Sequence, residues 1–563
     1  MRSFLPKNHR LLFYLTWIIL AIIQSRYTEL LDDEAYYWVY SKFLDWGYFD
    51  HPPMVAVLIK AGYFVFHNEL GVRLVFILLN TLSLVLIEQL LDKKNALLFY
   101  GIVLSLVVLQ LSGFVAVPDT PLIFFTALFF WCYRKFLERP SLPYSFLLAL
   151  VTAGLLYSKY HAVLIIFFVL MSNFKLFARY QTYIVGLVAL VFFAPHLWWQ
   201  YQHDWVSFRY HLFESNVNPY KISYTLNYIV GQILLAGPLA GIILLPAAFL
   251  YHAKIVFERS LKFTLIGIYV VFLLSSFRGK VEANWTSPAI VPLIILSHNF
   301  LSDKARSIAV NGEKWLFRLL PLTVILVLCA RAAMIFDVIP IKQIKQQYHG
   351  WHGWPQIMKQ KTNNLPIVFE NSYQRASKYW FYSGQMTYSL NWYRERRNNY
   401  NFWPIEDSIL GKPVFIMDIH NLDSFQNKIE TPIGIVGYKY DSTFSSFAKV
   451  KFTPTKRGTI NVNEKLQLFE MTVKTELPTK YYSYIINHPH LQTEIVVGLF
   501  DKHGWVQDLP VGHTLNEMIE RPQTLHFLNL NLRGRNYYLL FSIFQPGTIT
   551  GTHNSEKIKL VVR

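Results

Sequence analysis

Cysteine is almost absent from this sequence, which has two cysteines, Cys132 and Cys329, among 563 residues. Both lie inside apolar segments, and the long C-terminal region has none. A disulfide framework and a thiolate metal site are therefore both excluded.

Charged residues are also scarce, at 16% of the chain against 53% hydrophobic and 17% aromatic residues. Soluble domains rarely combine so much apolar sequence with so little charge. The apolar residues form long runs before about residue 337 and become sparser afterwards. The composition predicts a membrane protein with a C-terminal extramembrane region.

Acidic residues are fewer than basic ones, 35 against 53, which gives a net charge of +18. The excess does not indicate nucleic-acid binding, because the basic residues sit between apolar runs, as the positive-inside rule requires. Near the N-terminus, Arg2, Lys7 and Arg10 precede an apolar stretch, residues 11–23, that resembles a signal peptide. No small-x-small cleavage site follows, so we expect an uncleaved first helix.

A membrane-spanning helix needs about 20 apolar residues, with a range of about 17–25. By this measure the sequence predicts about eleven spans: 11–27, 70–91, 96–117, 121–138, 144–157, 161–174, 181–199, 226–251, 262–277, 286–301 and 315–337. The fifth and sixth are short, and they could instead be one tilted helix with Ser158-Lys159-Tyr160-His161 in its middle. Keeping them apart places sixteen basic residues on one side of the membrane and seven on the other. The positive-inside rule thus favours a break at Lys159, a cytoplasmic N-terminus and an extracytoplasmic C-terminal region.

The segment 28–69 is too polar to span a membrane and too aromatic for a plain loop. Its residues 34–46 carry aromatic side chains at helical spacing, and 54–66 form a second short apolar stretch. Both predict amphipathic helices along the outer membrane interface.

The predicted fold class is a mainly α, polytopic helical bundle, residues 1–339, followed by an extracytoplasmic α/β and β-sandwich-like region. Strand patterns at 366–369 and 414–417, with a helical stretch near 373–382, predict a small α/β domain over 340–430. Short β-rich runs at 433–439, 494–500 and 537–544 predict a β-rich domain over 431–563.

Three acids, Asp32, Asp33 and Glu34, open the first outer loop directly after a membrane span. One interpretation is helix capping, since acids are favoured in a first turn. The other is catalysis, with Asp33 as a general base and Glu34 beside it. Asp119, in Pro118-Asp119-Thr120-Pro121, has the same two interpretations: a capping residue, or a second catalytic carboxylate on the same side of the membrane.

Four side chains on the outer side are candidates for binding a phosphate: His51, Lys159, Arg278 and Lys280. His51 precedes two prolines, and the first of them restricts the His51 backbone to extended geometry. The alternative interpretation of His51 is an ordinary turn residue. Lys159 has almost no loop around it, so it either extends along the helix towards water or faces a polar cavity.

Further polar and aromatic residues of the outer turns are candidates for substrate binding. The set comprises Asp32, Tyr160, His211, Glu282, Asn284 and Trp285. For most residues of the loop 200–225 a solvated interfacial role is the alternative.

These groups fit a transfer from a sugar that is linked to a lipid phosphate. Such a sugar is already activated, so the paired carboxylates of ordinary glycosidases are unnecessary. The site needs one base for the acceptor hydroxyl and cations or donors for the departing phosphate. The alternatives are a transporter or flippase for lipid-linked sugars, which predicts broken helices in related halves, and a structural subunit of an envelope complex.

At this point the sequence resembles the GT-C membrane glycosyltransferases, in the bacterial protein-O-mannosyltransferase-like and aminoarabinose-transferase-like branch. The motifs that carry the resemblance fall in matching order over about residues 10–300: Leu31-Asp32-Asp33-Glu34-Ala35-Tyr36-Tyr37-Trp38, Asp45-Trp46-Gly47-Tyr48-Phe49-Asp50-His51-Pro52-Pro53, Pro118-Asp119-Thr120-Pro121, Ser158-Lys159-Tyr160, Pro195-His196-Leu197-Trp198-Trp199 and Lys280-Val281-Glu282-Ala283-Asn284-Trp285. In the aminoarabinose branch a lysine takes the place of His51. Lys159 is therefore the stronger candidate for binding the donor phosphate.

The resemblance implies an inverting enzyme with a polyprenyl- or dolichyl-phosphate sugar donor, catalysis on the periplasmic or luminal face and Asp33 as the catalytic carboxylate. The acceptor is expected to be a protein, lipid or glycan hydroxyl. The expected location is a bacterial inner membrane, with the endoplasmic reticulum as the alternative. A divalent metal ion helps to position loops in some relatives, and the conceivable ligands here are Asp50, His51, His203 and His211. No metal site is predicted from their spacing.

Overall fold

A computed structural model describes residues 7–111, 113–215, 219–339, 341–456, 458–463, 467–488, 491–528, 530, 532, 536–545 and 551–563. Arg2, which contributes to the predicted N-terminal charge, lies outside this set. The chain divides into two compact units, Met1–His349 and Gly350–Arg563.

The first unit is helical. Its α-helices in chain order are α1 His9–Tyr27, α2 Asp32–Lys42, α3 Met54–Val65, α4 Glu69–Leu90, α5 Ala96–Ser105, α6 Val107–Leu111, α7 Asp119–Glu138, α8 Leu142–Ser158, α9 Ala162–Ser172, α10 Tyr180–Gln202, α11 Val206–Arg209, α12 Ile222–Leu235, α13 Gly241–Leu250, α14 Val256–Ser275, α15 Ile290–Leu301, α16 Ser307–Ile335 and α17 Lys342–Tyr348. Short 3-10 segments occur at Phe174–Ala178 and Ala283–Ala289, and a π-helical turn at Tyr210–Glu214.

Three described helices, α4, α10 and α16, are each long and apolar enough to cross a membrane, and the bent pair α1 and α2 makes a fourth candidate. The predicted count of eleven spans is not confirmed by this measure. Several predicted spans are divided: 96–117 contains the break between α5 and α6, and 226–251 contains the break between α12 and α13. The pieces are apolar but shorter than a full span.

The turn at Lys159 separates α8 from α9, as the charge count predicts. Lys159 itself is extended, with φ −162° and ψ 146°, so the helix cannot continue through it. The alternative of one tilted helix is thereby excluded.

The first outer loop folds back onto the bundle. The axes of α1 and α2 make an angle of 89°. Helix α2 begins two residues before the predicted 34–46 and ends at Lys42 rather than Trp46. Its residues 34–41 are all buried in the protein, which differs from the predicted interfacial helix with one apolar face. The hydroxyls of Tyr36 and Tyr40 bond to the Asp50 carboxylate within the protein.

The second unit starts with a five-stranded sheet. Its strands are β1 Ile367–Glu370, β2 Thr387–Leu390, β3 Val414–Asp418, β4 Asn427–Thr431 and β5 Gly434–Asp441, in spatial order β2-β1-β3-β5-β4. A helix, Tyr373–Ser383, connects the parallel pair β1 and β2. The β4–β5 hairpin pairs with β3, so this sheet continues past the predicted boundary at residue 430.

Two further sheets form the rest of the second unit. Their strands are β6 Lys451–Pro454, β7 Ile460–Val462, β8 Phe469–Glu476, β9 Glu494–Asp501, β10 Gly504–Pro510, β11 Gln523–Phe527, β12 Asn536–Phe544 and β13 Ile558–Val562. The spatial orders are β10-β9-β12-β13-β7 and β11-β8-β6. Side chains of both sheets share one apolar core, where the rings of Phe452 and Phe541 lie 5.1 Å apart.

Candidate functional site

The acidic run Asp32-Asp33-Glu34 forms the first turn of α2. The N-cap residue of this helix is Leu31 and not Asp33, and Glu34 in the first turn accepts the Leu31 backbone N–H at 3.0 Å. Asp32 accepts a hydrogen bond from the Gln347 amide at 2.9 Å. Asp33 is the exposed member of the three, so its carboxylate is the one that a second molecule can reach.

Glu34 forms a fully buried ion pair with Arg73 of α4. The Arg73 guanidinium donates to the two carboxylate oxygens at 2.7 Å and 2.5 Å, and neither side chain has exposed surface. Arg73 also donates to the backbone oxygens of Ser25, Thr28 and Glu29. The pair therefore fixes the end of α1 and the start of α2, which gives Glu34 a positioning role instead of the predicted catalytic contact.

Asp119 and Lys159 form a second buried ion pair, with an Nζ to Oδ1 distance of 2.8 Å. The Asp119 carboxylate also accepts from the Ser287 hydroxyl at 2.6 Å and the Asn284 amide at 3.0 Å. Three distant turns of the sequence thus meet at one carboxylate. Ser287 was not predicted, and its position two residues after Trp285 offers no signal of its own.

The first outer loop joins the same end of the bundle. The Glu34 carboxylate accepts the N–H of Ala116 at 2.8 Å, three residues before Asp119. The charges of Lys159 and Asp119 both act on the imidazole of His51. Residues that the sequence places in four separate turns therefore lie around one region.

His51 lies beside aromatic side chains. Its ring lies edge-on to Tyr37, with ring centres 5.5 Å apart. Burial, with a smaller contribution from the Lys159 charge, lowers its pKa to about 3, so the imidazole is neutral near pH 7. Its Nδ1 is buried and has no hydrogen-bond partner within the described part of the chain. His51 is therefore a neutral hydrogen-bonding group and not the cation that the sequence suggests.

The neighbouring Asp50 organises the tyrosines of α2. Its carboxylate accepts from the hydroxyls of Tyr36 and Tyr40 at 3.2 Å and 3.3 Å. Its backbone oxygen lies 2.8 Å from Nε2 of His211. Asp50 and His211 thereby tie the first outer loop to the π-helical turn 210–214.

Tyr160 belongs to a buried polar chain that sequence reasoning missed. Its hydroxyl lies 3.2 Å from Nε2 of His196 and accepts from the Gln200 amide at 2.9 Å. Gln200 also donates to Ser207, which donates to the Tyr48 backbone oxygen. His196 stands in a quoted motif, Pro195-His196-Leu197-Trp198-Trp199, but Gln200 follows it without any distinguishing feature.

The turn that holds Arg278 and Lys280 is exposed. Lys280 pairs with Glu282 at 2.8 Å, with both side chains more than half exposed, and Arg278 is exposed as well. Trp285 packs beside the ring of His161, with ring centres 5.7 Å apart. This turn contributes Asn284 to the buried cluster and leaves its charged residues in solvent.

The described residues include no group of three or more His, Cys, Asp or Glu side chains that could hold a metal ion. Among the conceivable ligands, His203 contacts Trp199 instead of the other three. Its ring stacks on the Trp199 ring, and its Nδ1 lies 2.8 Å from the Trp199 backbone oxygen. Asp50, His51 and His211 adjoin one another but are not assembled as a ligand set.

A family model described as dolichyl-phosphate-mannose-protein mannosyltransferase matches residues 50–199, from Asp50 and His51 to Trp199. This match, together with the relatives below, confirms the predicted resemblance to membrane glycosyltransferases of the GT-C superfamily. The matched range contains Asp119, Lys159 and Tyr160.

Among curated proteins, the chain is 26% identical over 299 residues to the lipid A galacturonosyltransferase RgtD of Rhizobium johnstonii. The alignment covers 48% of this chain and 60% of that relative's length. Among solved structures, the chain is similar to ArnT from Cupriavidus metallidurans, with a TM-score of 0.56, 13% identity and coverage of 76% of this chain and 97% of ArnT. The structure of ArnT bound to undecaprenyl phosphate matches with a TM-score of 0.55, 14% identity and coverage of 77% and 98%. The likeness to ArnT shows a shared fold.

Proposed function

We propose that this protein is an integral-membrane glycosyltransferase that moves a sugar from a polyprenyl-phosphate donor to an acceptor hydroxyl on the extracytoplasmic face. The observation that carries the proposal is the arrangement of the acids: Asp33 is exposed at the start of α2, while the buried Glu34–Arg73 pair fixes the turn that holds it. The fold shared with ArnT, which binds undecaprenyl phosphate, supports the class of donor.

Asp33 is the general base in this proposal. Its carboxylate takes the proton of the acceptor hydroxyl as the oxygen attacks the anomeric carbon of the sugar. The lipid phosphate leaves from the opposite face, so the configuration at that carbon is inverted. General-base assistance contributes about 10²–10⁴ in rate, and alignment of the two substrates adds to it.

Lys159 binds the donor phosphate in this proposal. An ammonium group has three N–H donors, and within the described residues Lys159 gives one hydrogen bond, to Asp119. The others can reach a phosphate oxygen, where a charge-assisted bond in a water-poor site stabilises the developing charge. His51 adds one neutral donor, and the exposed Arg278 and Lys280 attract the anionic headgroup from a distance. Asp119 holds Lys159 in place and does not touch the substrate.

The other predicted contacts complete the substrate site. Asp32, Tyr160, His211, Glu282, Asn284 and Trp285 are proposed to contact the sugar or the acceptor. The acceptor is a protein, lipid or glycan hydroxyl, and a lipid is favoured because the curated relative acts on lipid A. The donor sugar is a hexose, pentose or amino sugar.

The proposal includes a membrane topology of about eleven crossings, in which the broken helices count as spans or half-spans. The Asp33 end of the bundle and the second unit then lie outside the cytoplasm. The positive-inside distribution of the basic residues supports this orientation, and a bacterial inner membrane is the proposed location.

The test is mass spectrometry of surface lipids, glycans and proteins from a deletion strain of the source organism. We expect one class of molecule to lose a single sugar residue, and wild-type protein supplied in trans to restore it. Unchanged surface molecules in the deletion strain, under conditions where the wild-type protein is made, would contradict the proposal.

A further inference from the structure

A second polar cavity lies at the other end of the helical unit, away from Asp33. Its volume is about 150 Å³. Helix α14 connects the two regions, because it begins beside the cavity with Glu258 and ends three residues before Arg278. None of the cavity's lining residues takes part in the proposed transfer.

Two carboxyl groups form the acidic floor of the cavity, the buried Glu258 and the more exposed Asp92. Glu258 is 3% exposed and accepts the Tyr251 hydroxyl and the Lys254 backbone N–H. Burial, together with the neighbouring Glu258 carboxylate, raises the pKa of the Asp92 carboxyl. Two adjacent carboxyl groups cannot both ionise easily unless a positive charge comes between them.

Asn299 is an independent sign of a missing donor. It is 7% exposed, and its amide nitrogen donates to Asp92 at 3.4 Å. Its Oδ1 is buried and has no hydrogen-bond partner among the residues that the structure describes. A buried polar atom without a partner destabilises the folded protein, so a ligand with N–H donors would stabilise this site.

The rim of the same cavity has the opposite charge. Lys93, Lys254 and Arg306 all line it, and all three are exposed. The Lys93 ammonium donates a hydrogen bond to the Ser302 backbone oxygen at 3.3 Å, and the Arg306 guanidinium donates one to the Asp303 carboxylate at 3.2 Å. The cavity therefore combines an acidic floor with a basic rim, which suits a zwitterion whose cationic end enters first.

A divalent metal ion fits this site less well. The Arg134 guanidinium lies 3.6 Å from Asp92, and the three basic rim residues add to the positive charge that such an ion would meet. An ammonium group carries half that charge and supplies the N–H donor that the Asn299 Oδ1 lacks among the described residues.

We propose that this cavity binds the headgroup of phosphatidylethanolamine, with the primary ammonium on Asp92, Glu258 and Asn299 and the phosphate on Lys93, Lys254 and Arg306. The cavity lies where helices α4, α13, α14 and α15 end or begin, which is the level of lipid headgroups for a bundle that spans a bilayer. Basic pockets between membrane helices are known sites of headgroup recognition. The bound lipid would hold these helix ends together, whatever sugar the protein transfers.

The test uses the full chain, purified and delipidated in detergent, with added phosphatidylethanolamine, phosphatidylcholine or phosphatidylglycerol and native mass spectrometry as the readout. We expect retention of phosphatidylethanolamine about tenfold above the other two, the factor expected for one charge-assisted hydrogen bond. Phosphatidylcholine carries a quaternary ammonium without N–H donors, and phosphatidylglycerol has no cation.

Two variants separate the two ends of the headgroup. Asp92→Asn should abolish the preference for phosphatidylethanolamine, while Lys254→Ala should weaken retention of all three lipids to a similar extent. Asp204→Asn, which removes one exposed acidic charge from the outer turns at the other end of the helical unit, is the control and should keep the preference.

Equal retention of the three lipids by the wild-type protein would overturn the proposal. So would an unchanged preference in Asp92→Asn. A thermal stabilisation of the wild-type protein by Mg²⁺ alone, lost in Asp92→Asn, would show instead that the acidic floor is a metal site.

Discussion

At the scale of single residues, the ion pair between Lys159 and Asp119 combines two roles that mutation must separate. It is buried, so the loss of one partner leaves an uncompensated charge, whatever the effect on the donor. It also carries the ammonium that we assign to the donor phosphate. A single substitution cannot distinguish these effects.

We predict that Lys159→Met lowers the free energy of unfolding by about 3–5 kcal/mol, because Asp119 stays buried without its cation. Adding Asp119→Asn should recover most of that stability, since the asparagine is neutral and can still bond to Ser287. Both the single and the double variant should bind the lipid-phosphate donor more weakly than the wild-type protein does. Thermal unfolding and the KM for the lipid-phosphate donor measure the two effects, and normal donor use by the double variant would contradict the role of Lys159.

The neutral His51 gives a prediction about pH. A histidine in an unfolded chain has a pKa near 6.5, whereas His51 in the folded protein has a pKa of about 3. Between these values the unfolded chain binds the extra proton, so His51 makes the protein less stable as the pH falls through that window. Above about pH 6.5 this effect disappears.

We therefore predict that His51→Asn makes the acid side of the stability profile shallower between about pH 3 and pH 6.5. The measurement is the midpoint of thermal unfolding in detergent as a function of pH. His503→Asn, at an exposed site of the second unit, is the control and should leave the slope as it is. An identical slope for wild type and His51→Asn would contradict the burial of a neutral imidazole.

At the scale of elements, the Arg73 guanidinium fixes the connection between α1 and α2. It bonds to three backbone oxygens of that connection and to Glu34, so the position of Asp33 depends on a residue in α4. Arg73 is a positioning residue in this account, since it does not reach the reacting atoms.

We predict that Arg73→Met increases backbone hydrogen exchange over residues 25–34 and lowers kcat more than it raises the KM for the donor. The control is Arg10→Met, which breaks a more exposed ion pair between α1 and Glu88 at the other end of these helices. Equal protection of residues 25–34 in both variants would contradict the positioning role.

Much of this element structure was predictable, for physical reasons that particular residues illustrate. Apolar length located most helices within a few residues, and the distribution of basic residues located the break at Lys159. The motif order also indicated that Asp119, Lys159 and Asn284 share a site. What the sequence could not show was which of the three adjacent acids is buried, because nothing distinguishes Asp32, Asp33 and Glu34 until Arg73 is brought beside Glu34.

The remaining differences come from tertiary contacts. Gln200 and Ser287 are ordinary residues in apolar sequence, and only folding brings them to Tyr160 and Asp119. The predicted boundary at residue 430 was wrong for the first sheet of the second unit, since strand patterns do not reveal that β4 and β5 pair back onto β3. The predicted number of membrane spans did not allow for the breaks between α5 and α6 and between α12 and α13. Hydropathy averaged over a long stretch of sequence does not detect such breaks.

At the scale of the whole molecule, the proposal depends on which side of the membrane each end of the bundle faces. In a variant without Cys132 and Cys329, we predict that Ser442→Cys reacts with a membrane-impermeant maleimide in cells whose outer membrane is permeabilised. Lys94→Cys should react only after the inner membrane is opened. Both positions are exposed, so the reverse pattern would contradict the proposed orientation.

The central claim is that Asp33 activates an acceptor for transfer from a lipid-phosphate sugar. Its most direct test is the release of lipid monophosphate from a polyprenyl-phosphate sugar by purified protein with its acceptor, for wild type and for Asp33→Asn. We predict that this substitution lowers the rate by at least about 10²-fold, the lower limit for a lost general base, with folding unchanged. Asp204→Asn, at another exposed aspartate of the outer turns, should keep normal activity, whereas normal activity in Asp33→Asn would contradict the account.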